Sequence, residues 1–187
     1  SPTRELALQI ADNLAPLAAS VGLSLTLVAG GMSYNPQLKA FARGVDVVVA
    51  TPGRLIDLMR QGAADLGNVE ITVLDEADHM AEMGFTDEVT AILDATPERG
   101  QRLLFSATLD AAVDRIVERY LTDPITHEVD SGQASVTSMT HVALQTKPHD
   151  KLAVTAELAS RDGRTVVFAR TQKGADRIAG QLRAAGV

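Results

Sequence analysis

Short apolar runs alternate with amphipathic stretches along almost the whole chain, and this alternation constrains the fold more than any other feature. Leu25–Ala29, Val45–Ala50, Ile71–Asp75, Arg102–Ser106 and Thr165–Ala169 are runs of strand length rich in β-branched residues. Each reads as a buried strand of a parallel sheet. Between them, apolar residues recur at helical spacing: Leu6, Ile10, Leu14, Leu17 and Val21, then Val89, Ile92 and Leu93, then Val113, Ile116 and Val117, and later Ile178 and Leu182. Strand followed by helix, repeated, predicts an α/β doubly wound parallel sheet. Pro16 interrupts the first helical stretch and predicts a kink or restart near Ala15, because its ring clashes with a carbonyl one turn back.

The rhythm breaks once. Asp130–Thr140, with Ser-Gly-Gln-Ala-Ser and no periodicity, reads as a linker over 130–140 between a first domain, 1–129, and the start of a second, 141–187. No strand precedes the first helix, and the segment after the linker has too few elements to close a core, so both ends read as truncations.

Composition removes several function classes. The chain has no Cys, which excludes disulfides and thiolate metal sites, and its four His (His79, His127, His141, His149) are too scattered for a zinc cluster. No apolar run approaches the roughly 20 residues that span a bilayer, and the start lacks the pattern of a signal peptide. No membrane insertion is expected, and a cytoplasmic setting is. A net charge of -7 excludes a surface that is basic all over, so any nucleic-acid contact has to come from a local set of donors. Aromatics make up only 3% of the residues and Trp is absent, which argues against a binder built on stacked aromatic platforms. Any RNA or DNA bound would be held by its backbone.

The strongest chemical signal is Val73-Leu74-Asp75-Glu76-Ala77-Asp78. An apolar strand there delivers adjacent carboxylates at its C-terminal end, where ligands bind in open α/β sheets. That is the geometry of a Walker B site. Asp75 is assigned to Mg²⁺, held through water, and Glu76 to the water that attacks the γ-phosphate of ATP. An acidic helix start, with Glu76 and Asp78 facing the positive end of the helix dipole, explains the same residues equally well.

Further segments fall in order around this one. Ser1-Pro2-Thr3-Arg4-Glu5-Leu6-Ala7, Gly30-Gly31, Thr51-Pro52-Gly53-Arg54-Leu55, Asp75-Glu76-Ala77-Asp78 and Ser106-Ala107-Thr108 resemble, in sequence and order, the first-domain motifs of the DEAD-box ATP-dependent RNA helicases of bacterial type. Val167-Phe168-Ala169-Arg170-Thr171 is similar to the opening motif of that family's second domain. Asp78 as the fourth residue of the tetrapeptide favours the DEAD-box over the DEAH-type pattern. The resemblance implies a RecA-like first domain, the opening units of a second, ATP and Mg²⁺ as cofactors, and RNA as partner, with little sequence specificity. It places Asp75, Glu76 and Asp78 in catalysis and Ser106, Ala107 and Thr108 in coupling nucleotide state to RNA grip. Pro2, Thr3, Arg4, Gly30, Gly31, Thr51, Pro52, Gly53 and Arg54 are implied to hold RNA, with Arg170 and Thr171 on the other wall.

Each matched segment also has a physical reading. Thr3 and Arg4 sit where strand hands over to helix, so that a hydroxyl, a guanidinium and free N–H groups meet one phosphate. Thr51-Pro52-Gly53-Arg54 repeats the arrangement, with Thr51 a candidate N-cap, Pro52 at the first helical position and Gly53 allowing close backbone approach. Plain capping explains Thr51-Pro52 too, and a tight turn explains Gly30-Gly31. The hydroxyls of Ser106 and Thr108 are expected to reach Asp78, to cap a helix beginning near Asp110, or to do both. Packing and capping are alternatives for Arg170 and Thr171, and His79 is not read as catalytic.

The family's Gly-Lys-Thr phosphate loop, its upstream Gln motif and its second-domain arginines have no counterpart in the chain. The fragment alone is therefore expected to hydrolyse ATP poorly or not at all. A non-catalytic RecA-like module that binds RNA or a protein is the alternative, and a DNA helicase of the same superfamily is a further one.

Overall fold

The computed structural model describes residues 1–129 and 140–187. Two compact units make up the chain, Ser1–Thr126 and His127–Val187. Apart from Thr140, the linker expected over 130–140 lies outside the described residues.

The first unit alternates helix and strand in the order α1 (Arg4–Ser20), β1 (Leu25–Val28), α2 (Tyr34–Arg43), β2 (Val47–Ala50), α3 (Pro52–Arg60), β3 (Ile71–Leu74), α4 (Ala77–Glu82), α5 (Thr86–Asp94), β4 (Gln101–Leu104) and α6 (Ala111–Tyr120). All pairing is parallel: Val28 lies opposite Ala50 in the β1–β2 pair, and Leu74 opposite Leu104 in the β3–β4 pair. The fold is thus α/β with parallel strands, but among the described residues the strands form two separate pairs and no single sheet.

The expectation that every strand is buried on both faces is corrected. Helices α4, α5 and α6 cover one side of the β3–β4 pair through Ala77, Met80, Val89, Leu93, Val113 and Ile116. Ile71, Val73, Leu103 and Phe105 stay exposed, because alternate side chains point to the side on which no described element packs. The β1–β2 pair builds its core with α3, where Leu55 and Leu58 pack on Val28.

Helix α1 corrects a second expectation. It buries Ala7, Ala11 and Ala18, whereas Leu14, Leu17 and Val21 of the larger apolar stripe are exposed. Ala7 and Ala11 pack on Val49, with Leu25 and Leu27 beside it. Small side chains let the helix backbone lie close on the strands. The helix also runs unbroken through Pro16, so the expected restart does not occur. Asp12 and Pro16 are both exposed, and water can take the carbonyl that the imide nitrogen leaves without a donor.

Arg102 of β4 closes the ends of two helices. Its guanidinium donates to Tyr120 O at the end of α6 (3.0 Å) and to Leu93 O (3.4 Å), Thr96 O (3.5 Å) and Pro97 O (3.4 Å) at and after the end of α5. A cation is favourable there, since the last carbonyls of a helix lack intrahelical donors and carry its negative dipole end.

The second unit contains α7 (Lys151–Ala159) and α8 (Gln172–Ala184). Thr165–Ala169 is not a strand, and Val166 and Phe168 are 74% and 91% exposed. Its apolar pattern was read as a buried parallel strand. A strand needs a hydrogen-bonded neighbour, however, and no described residue supplies one.

Arg102→Leu is expected to speed hydrogen exchange of the α5 and α6 amides by tenfold or more, equivalent to about 1.5–3 kcal/mol for the lost charge-assisted bonds. Unchanged protection in both helices would contradict the capping role.

Candidate functional site

Parallel register brings the C-terminal ends of β1 and β2 together, and those of β3 and β4 together, with the sequence-expected residues in the turns that follow. After β3 and β4 the ladder continues into the turns: Phe105 N–H donates to Leu74 O (2.8 Å) and Ala77 N–H to Phe105 O (3.1 Å). Asp75 and Glu76 therefore emerge at the strand end, directly before α4. Asp75 is half-buried and Glu76 exposed. Neither is in an ion pair among the described residues. One Asp75 oxygen accepts from the Glu76 N–H (3.1 Å).

Glu76 has left-handed backbone angles, φ 52° and ψ 55°. For a non-glycine residue this costs roughly 1–2 kcal/mol. Strain of that kind concentrates at functional turns. Here it reverses the chain between strand and helix without a glycine, so that two acidic side chains leave adjacent positions in different directions.

Asp78 joins this turn to the one after β4. Its Oδ2 accepts from the Thr108 hydroxyl (2.9 Å) and the Thr108 N–H (3.0 Å), while its Oδ1 accepts from the His79 N–H (2.9 Å). The expected Ser106 contact takes a different form: Ser106 Oγ accepts from the Asp78 N–H (3.2 Å) and donates to Thr108 O (2.6 Å). Desolvation pushes the Asp78 carboxyl up, and the hydrogen bonds from the Thr108 hydroxyl and the His79 N–H outweigh it, so that the group titrates below its ordinary range. Helix α6 is capped by Asp110, which accepts from the Ala112 and Val113 N–H groups (2.9 Å each). The capping alternative for Ser106 and Thr108 is thus corrected, since Asp110 is the residue directly before α6 and its carboxylate takes those donors. Ala107 and His79 are exposed.

The helix starts meet around a second feature, a cleft of about 510 Å³ lined by Pro2, Thr3, Arg4, Gly30, Thr51, Gly53 and Arg54. Thr51 N–H donates to Val28 O (2.9 Å), continuing the β1–β2 ladder, and Ser1 N donates to Ala50 O (2.9 Å) beside it. The carboxylates of Asp75 and Glu76 lie within electrostatic reach of the Ser1 backbone nitrogen. Thr3 caps α1, accepting from Leu6 N–H (3.2 Å). Thr51 makes no side-chain cap bond, and Pro52 is buried at the first position of α3.

Gly31 has φ 74°, and a Cβ there would stand 2.8 Å from Arg4 Nη1. The turn thus needs glycine both for its backbone angle and for the guanidinium that passes over it. At Gly30 and Gly53 a Cβ would meet nothing within 4 Å, so both open onto free space. Arg54 is different: it is only 9% exposed, and its Nη1 donates inward to Met32 O (2.9 Å) although the residue lines the cleft. Arg170 and Thr171 lie in the second unit, where Thr171 caps α8 by accepting from Gly174 N–H (3.0 Å) and Arg170 is exposed.

Glu5, ion-paired with Arg4 (3.6 Å), also lines the cleft, as do Asp57, Met83 and Phe85; sequence reasoning assigned none of these four to the site, nor Tyr34 and Gln37 behind it. One signal existed: Gln37 shares a helical stripe with the apolar Phe41 four residues on, an unusual place for an amide. Met83 and Phe85 carried no signal beyond ordinary core spacing.

Comparison with known proteins bears on these turns together. The sequence profile described as DEAD/DEAH box helicase matches residues 1–116. The chain belongs to this family. It is 40% identical over 183 residues to the chloroplastic DEAD-box ATP-dependent RNA helicase 3B of Zea mays, covering 95% of the chain and 24% of that protein. It is also 40% identical over 188 residues to the ATP-dependent RNA helicase DeaD of Mycobacterium tuberculosis, covering 99% of the chain and 33% of the relative. Among solved structures, a hypothetical ATP-dependent RNA helicase from Sulfolobus tokodaii superposes with a TM-score of 0.68 at 35% identity, over 98% of this chain and 54% of that one. A DEAD box protein from Methanococcus jannaschii gives 0.65 at 31% identity, over 100% and 50%. The fold is accordingly RecA-like. The DEAD/DEAH box chain described here spans a quarter to a third of these two curated relatives and about half of the two solved structures.

Because the folded pKa of Asp78 is depressed, its contribution to stability is fully present above the unfolded value of about 3.9 and is lost as pH falls through the lower folded value. Carbon-detected NMR should show the Asp78 carboxyl titrating below that value and Thr108→Val moving it upward. A midpoint that Thr108→Val leaves in place would refute the assigned cause.

Proposed function

We propose that the protein acts as an ATP-dependent RNA helicase, in which the cleft holds an RNA backbone and the acidic turn works on ATP. The observation that carries this reading is the gathering of Thr3, Arg4, Gly30, Thr51 and Gly53 around one cleft, next to an acidic strand end whose Asp78 is bonded to Thr108. Hydroxyls, a half-exposed guanidinium and bare backbone suit phosphate and 2′-OH groups and read no base edges. Such a cleft takes RNA with little regard to sequence.

Within this reading, Glu76 orients the water that attacks the γ-phosphate and accepts its proton, for which its exposed carboxylate at the strand end is suited. Asp75 is the Walker B residue that would hold Mg²⁺ through water. Magnesium characteristically takes one or two carboxylates together with phosphate oxygens and water, so a free Asp75 oxygen beside Glu76 fits it. When bound, the ion would offset charge on the phosphates.

Asp78, Ser106 and Thr108 tie the start of α4 to the turn after β4, so a change at the nucleotide shifts both turns together. Arg170 and Thr171 are proposed as the other wall of the RNA site, contributed by a second RecA-like domain beginning near residue 141. The chain contains no Gly-Lys-Ser/Thr loop, so hydrolysis is assigned to a full-length protein that supplies one. No described helix is long and apolar enough to cross a membrane. A cytoplasmic setting is proposed on the strength of the mycobacterial relative, although the maize relative is named chloroplastic.

In the full-length protein, Glu76→Gln is expected to lower RNA-stimulated ATP hydrolysis by about a hundredfold or more while RNA binding in the presence of ATP is kept. ATPase activity and RNA affinity measured together decide it. Normal turnover in the variant, or no stimulation of the wild-type protein by RNA, would overturn the reading.

A further inference from the structure

Arg54 lines the cleft, yet one end of its guanidinium is held by the protein. Its Nη1 donates to Met32 O (2.9 Å) and to Gln37 Oε1 (3.2 Å), and the Tyr34 ring lies 3.8 Å from its central carbon. Gln37 is 2% exposed and donates its amide N–H to Ser33 O (3.1 Å). Only this amide orientation satisfies both neighbours, since a guanidinium accepts nothing and a carbonyl donates nothing. Tyr34 in turn donates its hydroxyl to Asp57 Oδ2 (3.1 Å) on α3.

Two consecutive carbonyls of the turn after β1, Met32 and Ser33, are therefore gripped by one buried pair, Arg54 from α3 and Gln37 from α2. The N–H groups of Gly30 and Gly31, at the other end of the same turn, make no internal hydrogen bond among the described residues. They are the donors left for a ligand. Their position relative to Thr51 and Gly53 is fixed through Arg54, which starts in the same helix turn as those residues. Removing the Gln37 carbonyl would leave one face of a buried guanidinium without an acceptor, at a cost large enough to displace it.

We propose that Gln37 is a positioning residue for the RNA cleft: acting through Arg54, it locks the Gly30–Ser33 turn against the start of α3 without itself touching the ligand. Arg54 thereby serves as part of the frame of the site, and Arg4, ion-paired with Glu5 (3.6 Å), is the more exposed guanidinium offered to phosphate. The inference rests on the RNA-binding reading of the cleft.

The test uses the full-length protein, a short oligouridylate and a non-hydrolysable ATP analogue with magnesium. RNA affinity is measured over a range of salt concentrations, analogue affinity is measured separately, and thermal unfolding checks the fold. Arg4→Ala should weaken RNA binding and lower the slope of log affinity against log salt by about 0.7, the signature of one lost single-strand phosphate contact. Gln37→Leu should weaken RNA binding about tenfold with the slope and the analogue affinity unchanged. Should Gln37→Leu not fold, Arg54→Lys carries the test. It keeps the charge but loses the fork and the stacking, and is expected to show the same loss at unchanged slope. Wild-type RNA affinity in Gln37→Leu, a slope that falls with it, or an equal loss of analogue binding would each overturn the inference. If Arg4→Ala binds RNA as the wild type does, the RNA-binding reading itself fails, and the two failures are told apart.

Discussion

Parallel strand pairing is the constraint on which the rest of this molecule depends. Because β1 and β2 run the same way in register, Val28 and Ala50 end side by side, and the same holds for Leu74 and Leu104 in the second pair. Each parallel connection needs a crossover, here α2 between β1 and β2 and α4 with α5 between β3 and β4, and the chain leaves both strands of a pair at the same edge. Four turns, at Gly30–Gly31, Thr51, Asp75–Glu76 and Ser106–Thr108, are thereby delivered to strand ends from segments far apart in sequence. An antiparallel arrangement would have sent alternate turns to opposite edges, and the cleft of Thr3, Gly30 and Gly53 could not assemble.

Much of that edge was legible in the sequence because strand length, apolar pattern and the residue types at strand ends are local properties. What was hidden depends on which faces find partners. Leu14 and Leu17 form a fair helical stripe, yet Ala7, Ala11 and Ala18 face the strands, because close approach of a helix to a sheet rewards small side chains over large ones. Thr165–Ala169 has the composition of a buried strand and no neighbour among the described residues to pair with. The place of Arg54 beside Gly53 predicts that it lines the cleft, which it does, but not that its Nη1 is held by Met32 O and Gln37. Its true surroundings depend on Gln37 and Tyr34, one helix away, and no spacing rule connects them. The left-handed backbone of Glu76 had no sequence signal at all, since a Glu at that position is what local preference would avoid.

These exceptions share a physical logic. The strained Glu76 and the buried polar pair Arg54–Gln37 each violate a local rule, and both sit at the strand ends where the chemistry is assigned. A glycine at 76 or an apolar pair at 37 and 54 would fold as readily or better. Holding carboxylates and bare N–H groups in one geometry requires such concessions, and the hydrogen bonds of Asp78 with Thr108 join the two turns. Under the proposed function, a chain of net charge -7 would hold an anionic polymer through a few fixed donors at this edge.

The central claim is that the helix starts after β1 and β2, with the start of α1, form the surface that contacts RNA. Hydrogen exchange of the full-length protein, with and without RNA in the presence of a non-hydrolysable ATP analogue, tests it most directly. The account predicts new protection at the amides of Thr3–Glu5, Gly30–Gly31 and Gly53–Arg54, with the exposed outer face of α1 around Leu14 unchanged. Protection confined to other segments, with these amides exchanging as before, would contradict it.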